Sequence, residues 1–264
     1  MKMFDSHAHY DDAKFSGRAD EILCEVHGNG VEKITNIGCS LASSRASLSL
    51  AAKYDFIYAA VGVHPSDAVS DMKNEDWLEQ VEAMYHSSPK AVAIGEIGLD
   101  YHYGKDDIAE QKICFRLQLE LARRLGAPVV IHDREAHEDT LEILYDFPEV
   151  TAVLHSFSGS YEMAREIIKR GHYISVNGVV TFSNAKKTAD ILERLDSIAP
   201  YARERLLMET DCPYLTPTPH RGELNRSDYM VFTAERAGSL FGISGEEFAR
   251  LTYENACRFY GIEQ

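Results

Sequence analysis

The chain has 264 residues, with 27 Lys+Arg against 42 Asp+Glu and a formal net charge of −15. That balance excludes a basic, tail-driven nucleic-acid binder, and 45% hydrophobic with 26% charged residues excludes disorder as the dominant state. No stretch approaches the ~18 consecutive apolar residues of a membrane span, and no apolar run follows the N-terminal Met-Lys-Met-Phe-Asp-Ser-His. A cytoplasmic protein with no membrane partner and no obligate protein partner is therefore expected. Cys24, Cys39, Cys114, Cys212 and Cys257 are scattered and never form C-x-x-C. They suit reduced thiols better than a disulfide framework or a thiolate zinc site.

Along the chain, short β-branched runs alternate with longer stretches of helical periodicity. Strands are expected at 3–4, 33–37, 56–61 and 91–94, then at 128–131, 151–154, 173–176 and 206–208. Helices are expected at 19–28, 43–54, 75–86, 107–125, 138–145, 162–169 and 185–197, with two more at 228–241 and 245–260 closing the chain. The helix at 107–125 has the strongest pattern. Asp107 and Glu110 have capping-box spacing, Cys114, Leu117, Leu121, Ala122 and Leu125 share a face, and Gly126 and Pro128 stop it. Eight strands, each followed by a helix, over a length near the ~250 residues typical of the fold, predict a single-domain (β/α)8 TIM barrel over 1–264. An open doubly wound sheet is disfavoured because no G-x-G-x-x-G turn follows the first strand.

Side chains able to bind metal fall at the strand ends. His7 and His9 follow strand one, His64 strand three, Glu96 strand four, His132 strand five, His155 strand six and Asp211 strand eight. In a barrel these ends open on one face, where active sites of the fold sit. The H-x-H pair uses the period of two, which sends both imidazoles to the same side. Singly, each histidine is as well explained by packing and each carboxylate by solvation. Jointly, His7, His9, His132, His155, Glu96 and Asp211 are a costly burial unless a divalent cation pairs them. Four imidazoles and two carboxylates exceed one tetrahedral site and suit two ions sharing a carboxylate, for which Glu96 is placed centrally. Two ions about 3.5 to 4 Å apart favour hydrolysis, since together they stabilise attacking and leaving oxygens. Asp211 has the chemistry to ligate one ion and to accept the proton of water. Imidazole and oxygen donors suit zinc, manganese or magnesium alike.

Six segments carry a family pattern: D-S-H-A-H (5–9), G-V-H-P (62–65), G-E-I-G-L-D-Y (95–101), V-I-H-D-R-E-A (130–136), H-S-F-S-G-S (155–160) and E-T-D-C-P-Y-L (209–215). Together they resemble the TatD family of metal-dependent deoxyribonucleases, in the family's order and over nearly the whole chain. The resemblance implies a TIM-barrel hydrolase of the amidohydrolase superfamily that cuts phosphodiester bonds in DNA with two divalent ions. It implies one ion held by His7, His9, Glu96 and Asp211, and the other by Glu96, His132 and His155, with His64 lining the pocket as a phosphate contact or extra ligand. Glu209, two residues before Asp211, is expected to support it. Arg134 and Arg221 are the candidate phosphate contacts, because guanidinium matches phosphate bidentately. In the loop after strand eight the chain departs from the family pattern at Glu223, where a basic residue is usual, and at Ser227, where proline is usual.

The leading expectation is an exonuclease acting on single-stranded or frayed DNA ends. A barrel hydrolase with a small amide, lactone or phosphotriester substrate is the rival within enzymes. Gly95-Glu96-Ile97-Gly98 argues against it by offering a carboxylate where many amidohydrolase relatives use a modified lysine. A metal-stabilised binding protein without turnover ranks last, because it gives Asp211 nothing to do. The charge of −15 argues against electrostatic coating of duplex DNA. It is compatible with ions that bring local positive charge to one phosphate.

Overall fold

The computed structural model describes residues 1–103 and 105–263. The chain opens with β1 (Met3–Ala8), α1 (Ala19–Gly28), β2 (Val31–Ile37), α2 (Leu41–Lys53) and β3 (Ile57–Val61). Next come α3 (Ala68–Asp71), α4 (Trp77–His86), β4 (Ala91–Asp100), α5 (Ile108–Leu125), β5 (Val129–Arg134) and α6 (His137–Tyr145). It ends with β6 (Ala152–Leu154), α7 (Tyr161–Lys169), β7 (Tyr173–Val176), α8 (Lys186–Arg194), β8 (Leu206–Met208), α9 (Met230–Phe241) and α10 (Gly245–Tyr260). The strands follow one another as a single eight-stranded sheet in the order β1 to β8. This is the (β/α)8 class that the alternation predicts. Two compact units make up the chain: Met1–Thr35 with the stretch from Ser156 onward, and Asn36–His155.

In the first unit β7 and β8 run parallel, with Ile174, Ser175 and Val176 opposite Leu206, Leu207 and Met208. Ala8, at the end of β1, forms a parallel bridge with Cys212, just beyond β8. The long C-terminal helix α10 packs on α9, β8 and β1. Its Ser244 and Glu247 form a capping box, and Tyr260 Oη donates to the Ser6 carbonyl at 2.7 Å. Asp5 is the polar hub beneath β1. It accepts from the Thr210 amide (2.9 Å), Thr210 Oγ1 (2.6 Å) and Ser227 Oγ (2.7 Å). With its hydroxyl proton committed to Asp5, Ser227 accepts from Tyr10 Oη at 2.7 Å, while its own amide donates back to that oxygen at 3.0 Å. Burial raises the Asp5 carboxyl to about 7, against these hydrogen bonds, which favour its charged form.

In the second unit β3, β4, β5 and β6 form a parallel ladder. Every residue of β4 is buried, as expected for a strand covered on both faces. Glycine admits the close approach of β5: a Cβ on Gly98, at φ +137°, would lie 2.0 Å from the His132 carbonyl oxygen. The same holds at Gly95, whose Cβ would lie 2.7 Å from that of Val130.

Two sequence expectations for α5 are corrected. Asp107 precedes the helix but makes no side-chain cap, so the spacing did not become a capping box. The buried residues are Gln111, Cys114, Phe115, Gln118, Leu119, Leu121 and Ala122, so Cys114, Leu121 and Ala122 lie inside as expected, whereas Leu117 is 39% exposed. Gln111 and Gln118 escaped the hydrophobic pattern because they are polar. Inside, they satisfy backbone groups, Gln111 accepting from the Asp100 amide at 2.9 Å and Gln118 from the Val63 amide at 2.8 Å. Gly126 ends the helix at φ 66°, as read from the sequence. The strand at 91–94 extends to Asp100, carrying Glu96 inside β4 rather than beyond it. None of the five cysteines is in a disulfide, and no helix among the described residues is long and apolar enough to cross a membrane.

Candidate metal centre

The first unit brings together His7, His9 and Asp211. The period of two along β1 and the residue after it places the two imidazoles on one side, their Nε2 atoms 3.0 Å apart and their rings at 75°. Asp211 is carried there by the turn after β8. Its amide donates to the His7 carbonyl at 2.9 Å, and its backbone takes the left-handed region at φ 57°, which aspartate tolerates better than most residues. Its Oδ1 then lies 3.3 Å from His9 Nε2 and 3.7 Å from His7 Nε2. One donor atom from each of the three lies within 4.8 Å of the others.

Glu209 lies just past β8 and is buried. Both its oxygens are engaged: one accepts from the Ser156 amide and the other from Ser175 Oγ, each at 2.6 Å. It therefore ties the chain just before Asp211 to the residues after β6 and within β7.

The second unit gathers His64, Glu96, His132 and His155. His132 Nδ1 is 2.8 Å from Glu96 Oε1 and 3.2 Å from His155 Nε2, and that nitrogen is itself 2.8 Å from Glu96 Oε1. On its far side His132 Nε2 donates to Asp100 Oδ2 at 3.1 Å. Burial lowers the His132 imidazole, but the hydrogen bonds of Asp100 and Glu96 outweigh it and hold the group above its usual range. Burial likewise pushes the Asp100 carboxyl up. The His132 hydrogen bond and the amides of Tyr103 and His102 reverse that, leaving it at about 2.

His64 plays a different part. Its Nδ1 accepts from the Ser66 amide at 3.1 Å as the cap of a 3-10 turn, so the proton of the neutral ring sits on Nε2, 3.8 Å from Glu96 Oε1. Burial and the neighbouring His132 drive it down to about 3, which keeps the ring neutral. A ring in this tautomer donates a hydrogen bond and does not offer a lone pair. Its donor atom nevertheless lies within 4.8 Å of those of Glu96 and His132.

The donor chemistry of both sets fits divalent ions. Two imidazole nitrogens at 3.0 Å with a carboxylate beside them, or two at 3.2 Å sharing one carboxylate oxygen, are satisfied by a shared proton or by a cation between them. A proton does so in part, whereas one divalent ion satisfies all three donors at once. Asp100 and His132 form a carboxylate–histidine pair, which fixes the orientation and tautomer of the ring.

The two arginines each pack on an aromatic ring. Arg134, the last residue of β5, lies over the exposed Tyr103 ring at 4.8 Å, and Arg221 lies over Phe182 at 3.7 Å. Glu223 and Ser227, the two departures, both have partners. Glu223 pairs with His220 Nδ1 at 3.0 Å, and buried Ser227 belongs to the Asp5 hub.

Three residues escaped the sequence reading. Asp100 was signalled by the period of two, which puts it on the side of β4 that carries Glu96. Asp5 was signalled by its place at the head of the H-x-H motif. Cys39, half-buried after β2 with its thiol 3.8 Å from Glu96 Oε2, had no sequence signal.

Comparison with known proteins gives the family. The family described as TatD related DNase matches residues 4–261. The chain belongs to the TatD family. Within reach of that family, the uncharacterized metal-dependent hydrolase YabD of Bacillus subtilis (strain 168) is 39% identical, covering 98% of this chain and 99% of the relative. The uncharacterized metal-dependent hydrolase YcfH of Escherichia coli (strain K12) is 33% identical, with 100% and 97% covered. The crystal structure of YjjV, a TatD homologue from Escherichia coli K12, superposes with a TM-score of 0.88 at 30% identity, covering 99% and 98% of the two chains. TatD-family membership makes the chain a metal-dependent hydrolase on the TIM-barrel scaffold.

Proposed function

We propose that residues 1–264 act as one hydrolase domain, a deoxyribonuclease that trims single-stranded or frayed DNA ends with two divalent ions. The observation that carries the reading is the pair of imidazole–carboxylate donor sets on a TatD-family chain, His7–His9–Asp211 and Glu96–His132–His155. When bound, the ions supply Lewis-acid activation of water and charge stabilisation at phosphate.

The chain's own groups supply the rest. Asp211, the most accessible member of its set at 17%, accepts the proton of the attacking water. Asp100 holds the His132 ring in one tautomer. His64 donates from Nε2 to a phosphate oxygen, and the guanidinium groups of Arg134 and Arg221 take the flanking phosphates. Assigning Glu96 to both ions follows the family pattern and is tested by metal count. An acidic chain of charge −15 acting this way engages phosphate locally, so weak affinity for duplex DNA is expected.

A cleavage assay on end-labelled single- and double-stranded DNA across magnesium, manganese and zinc tests the proposal, with chelator, lactone and phosphotriester controls. Metal-dependent release of nucleotides from ends is the expected result, with two ions per chain at saturation. No DNA cleavage under any metal overturns the nuclease reading, and turnover of the lactone or phosphotriester alone would put the small-substrate reading in its place. Saturation at one ion overturns the shared carboxylate.

A further inference from the structure

A cavity of about 330 Å³ opens in the first unit, between the turn after β6, the end of β7 and the start of α8. Its walls divide by chemistry. Val176, Val179 and Val180 with the rings of Phe157 and Phe182 form an apolar side, and Lys186 and Lys187 are exposed at the first turn of α8. Among the described residues that line it these lysines are the titratable ones, in a chain where Asp+Glu outnumber Lys+Arg 42 to 27. Ala185 precedes α8 without a side-chain cap, and the Lys186 amide donates to the Asn184 carbonyl at 2.8 Å.

Arg221 adds a third cation. Its guanidinium lies 3.7 Å from the centre of the Phe182 ring, and the loop that carries it is pinned by the Thr218 amide donating to Thr181 Oγ1 at 2.8 Å. The floor is tied to the catalytic carboxylate's own segment. Ser156 and Ser175, both lining residues, hold Glu209, two residues ahead of Asp211.

We infer that this cavity is a nucleotide subsite: the valine and phenylalanine wall takes a nucleobase, and Lys186, Lys187 and Arg221 take its phosphate. The size lies at the lower end of pockets that enclose small ligands, which suits one nucleotide and no more. An apolar wall that includes two aromatic rings, beside concentrated positive charge, selects a ligand that is planar and apolar at one end and anionic at the other. Inorganic phosphate leaves the wall unused, and a neutral nucleoside leaves the cations unused. The identity of the ligand rests on the nuclease reading above, while the pocket chemistry does not.

Titration calorimetry of the full chain in chelator, with thymidine 5′-monophosphate as the probe, tests the assignment apart from catalysis. Inorganic phosphate and thymidine serve as half-probes. The expected result is saturable binding of the nucleotide at least tenfold tighter than either half-probe. Binding should weaken at least tenfold in Val179→Trp, which fills the cavity, and in the surface double variant K186E/K187E, which reverses the charge without touching the core. Phosphate binding as tightly as the nucleotide, unchanged affinity in K186E/K187E, or no nucleotide binding by the wild type would each overturn the subsite. Nucleotide binding that persists in a chain unable to cleave DNA would overturn the nuclease reading and leave the subsite standing; DNA cleavage without nucleotide binding does the reverse.

Discussion

Asp100 Oδ2 accepts a hydrogen bond from His132 Nε2 at 3.1 Å, and this fixes which nitrogen His132 turns toward Glu96 and His155. With the proton held on Nε2, the Nδ1 lone pair is the one available to a cation. Asp100→Ala is expected to weaken binding of an ion to this set by about 10- to 100-fold. Asp100→Asn, which keeps an acceptor oxygen, should lose less. Metal titration of the two variants checks the ranking, and equal affinity for wild type and Asp100→Ala would remove the orienting role.

Asp211→Asn keeps the size and one oxygen of the side chain but cannot accept the proton of water. The expected outcome is an intact fold and loss of at least about 100-fold in kcat. Thermal melting together with single-turnover cleavage separates the two effects. Rates near wild type would take Asp211 out of the proton-accepting role.

Ser227 contributes through both its hydroxyl and its amide, bonded to Asp5 and Tyr10. Ser227→Pro, the residue the family pattern favours there, removes both donors. In a fully buried position it should destabilise the fold by about 2 to 4 kcal/mol. Ser227→Ala keeps the amide and should cost about half as much. Urea unfolding reads the difference, and a neutral Ser227→Pro would show that the hub tolerates loss of both bonds.

His172, buried before β7, is lowered from 6.5 to about 4 by burial and by the nearby Arg170 and Arg205. The unfolded chain thus takes up a proton below about 6.5 that the folded chain resists down to about 4. The contribution is whole above pH 6.5 and is lost progressively as pH falls toward 4, on the order of 1 to 3 kcal/mol in all. In His172→Gln the drop in urea midpoint between pH 7.5 and 5 should be smaller than in the wild type. An identical drop would assign the acid sensitivity elsewhere.

The strand ends were the most legible part of the sequence, because β-branched runs and a period of two survive in the chain itself. The alternation gave the eight-stranded class, and four of the expected elements, at 19–28, 173–176, 206–208 and 245–260, agree with the structure residue for residue. The face of α5 was less legible, since Gln111 and Gln118 are buried for their hydrogen bonds and a hydrophobic pattern is blind to them. The donors in the two sets could be named because few side chains bind metal. The groups that hold them, Asp5 and Asp100, look like any other carboxylate until a partner nearby in space but distant in sequence is known. For Asp5 that partner is Thr210, 205 residues along the chain.

That separation also sets an order of assembly during synthesis. His64, Glu96, His132 and His155 have all left the ribosome's active centre once residue 155 has been added. His7 and His9, made first, must wait for Asp211, and the hub that seats them waits further for Ser227. The earliest residues of the chain thus join the last donor set to be completed, and a nascent polypeptide stalled before residue 211 carries its N-terminal histidines without the carboxylate that completes their set.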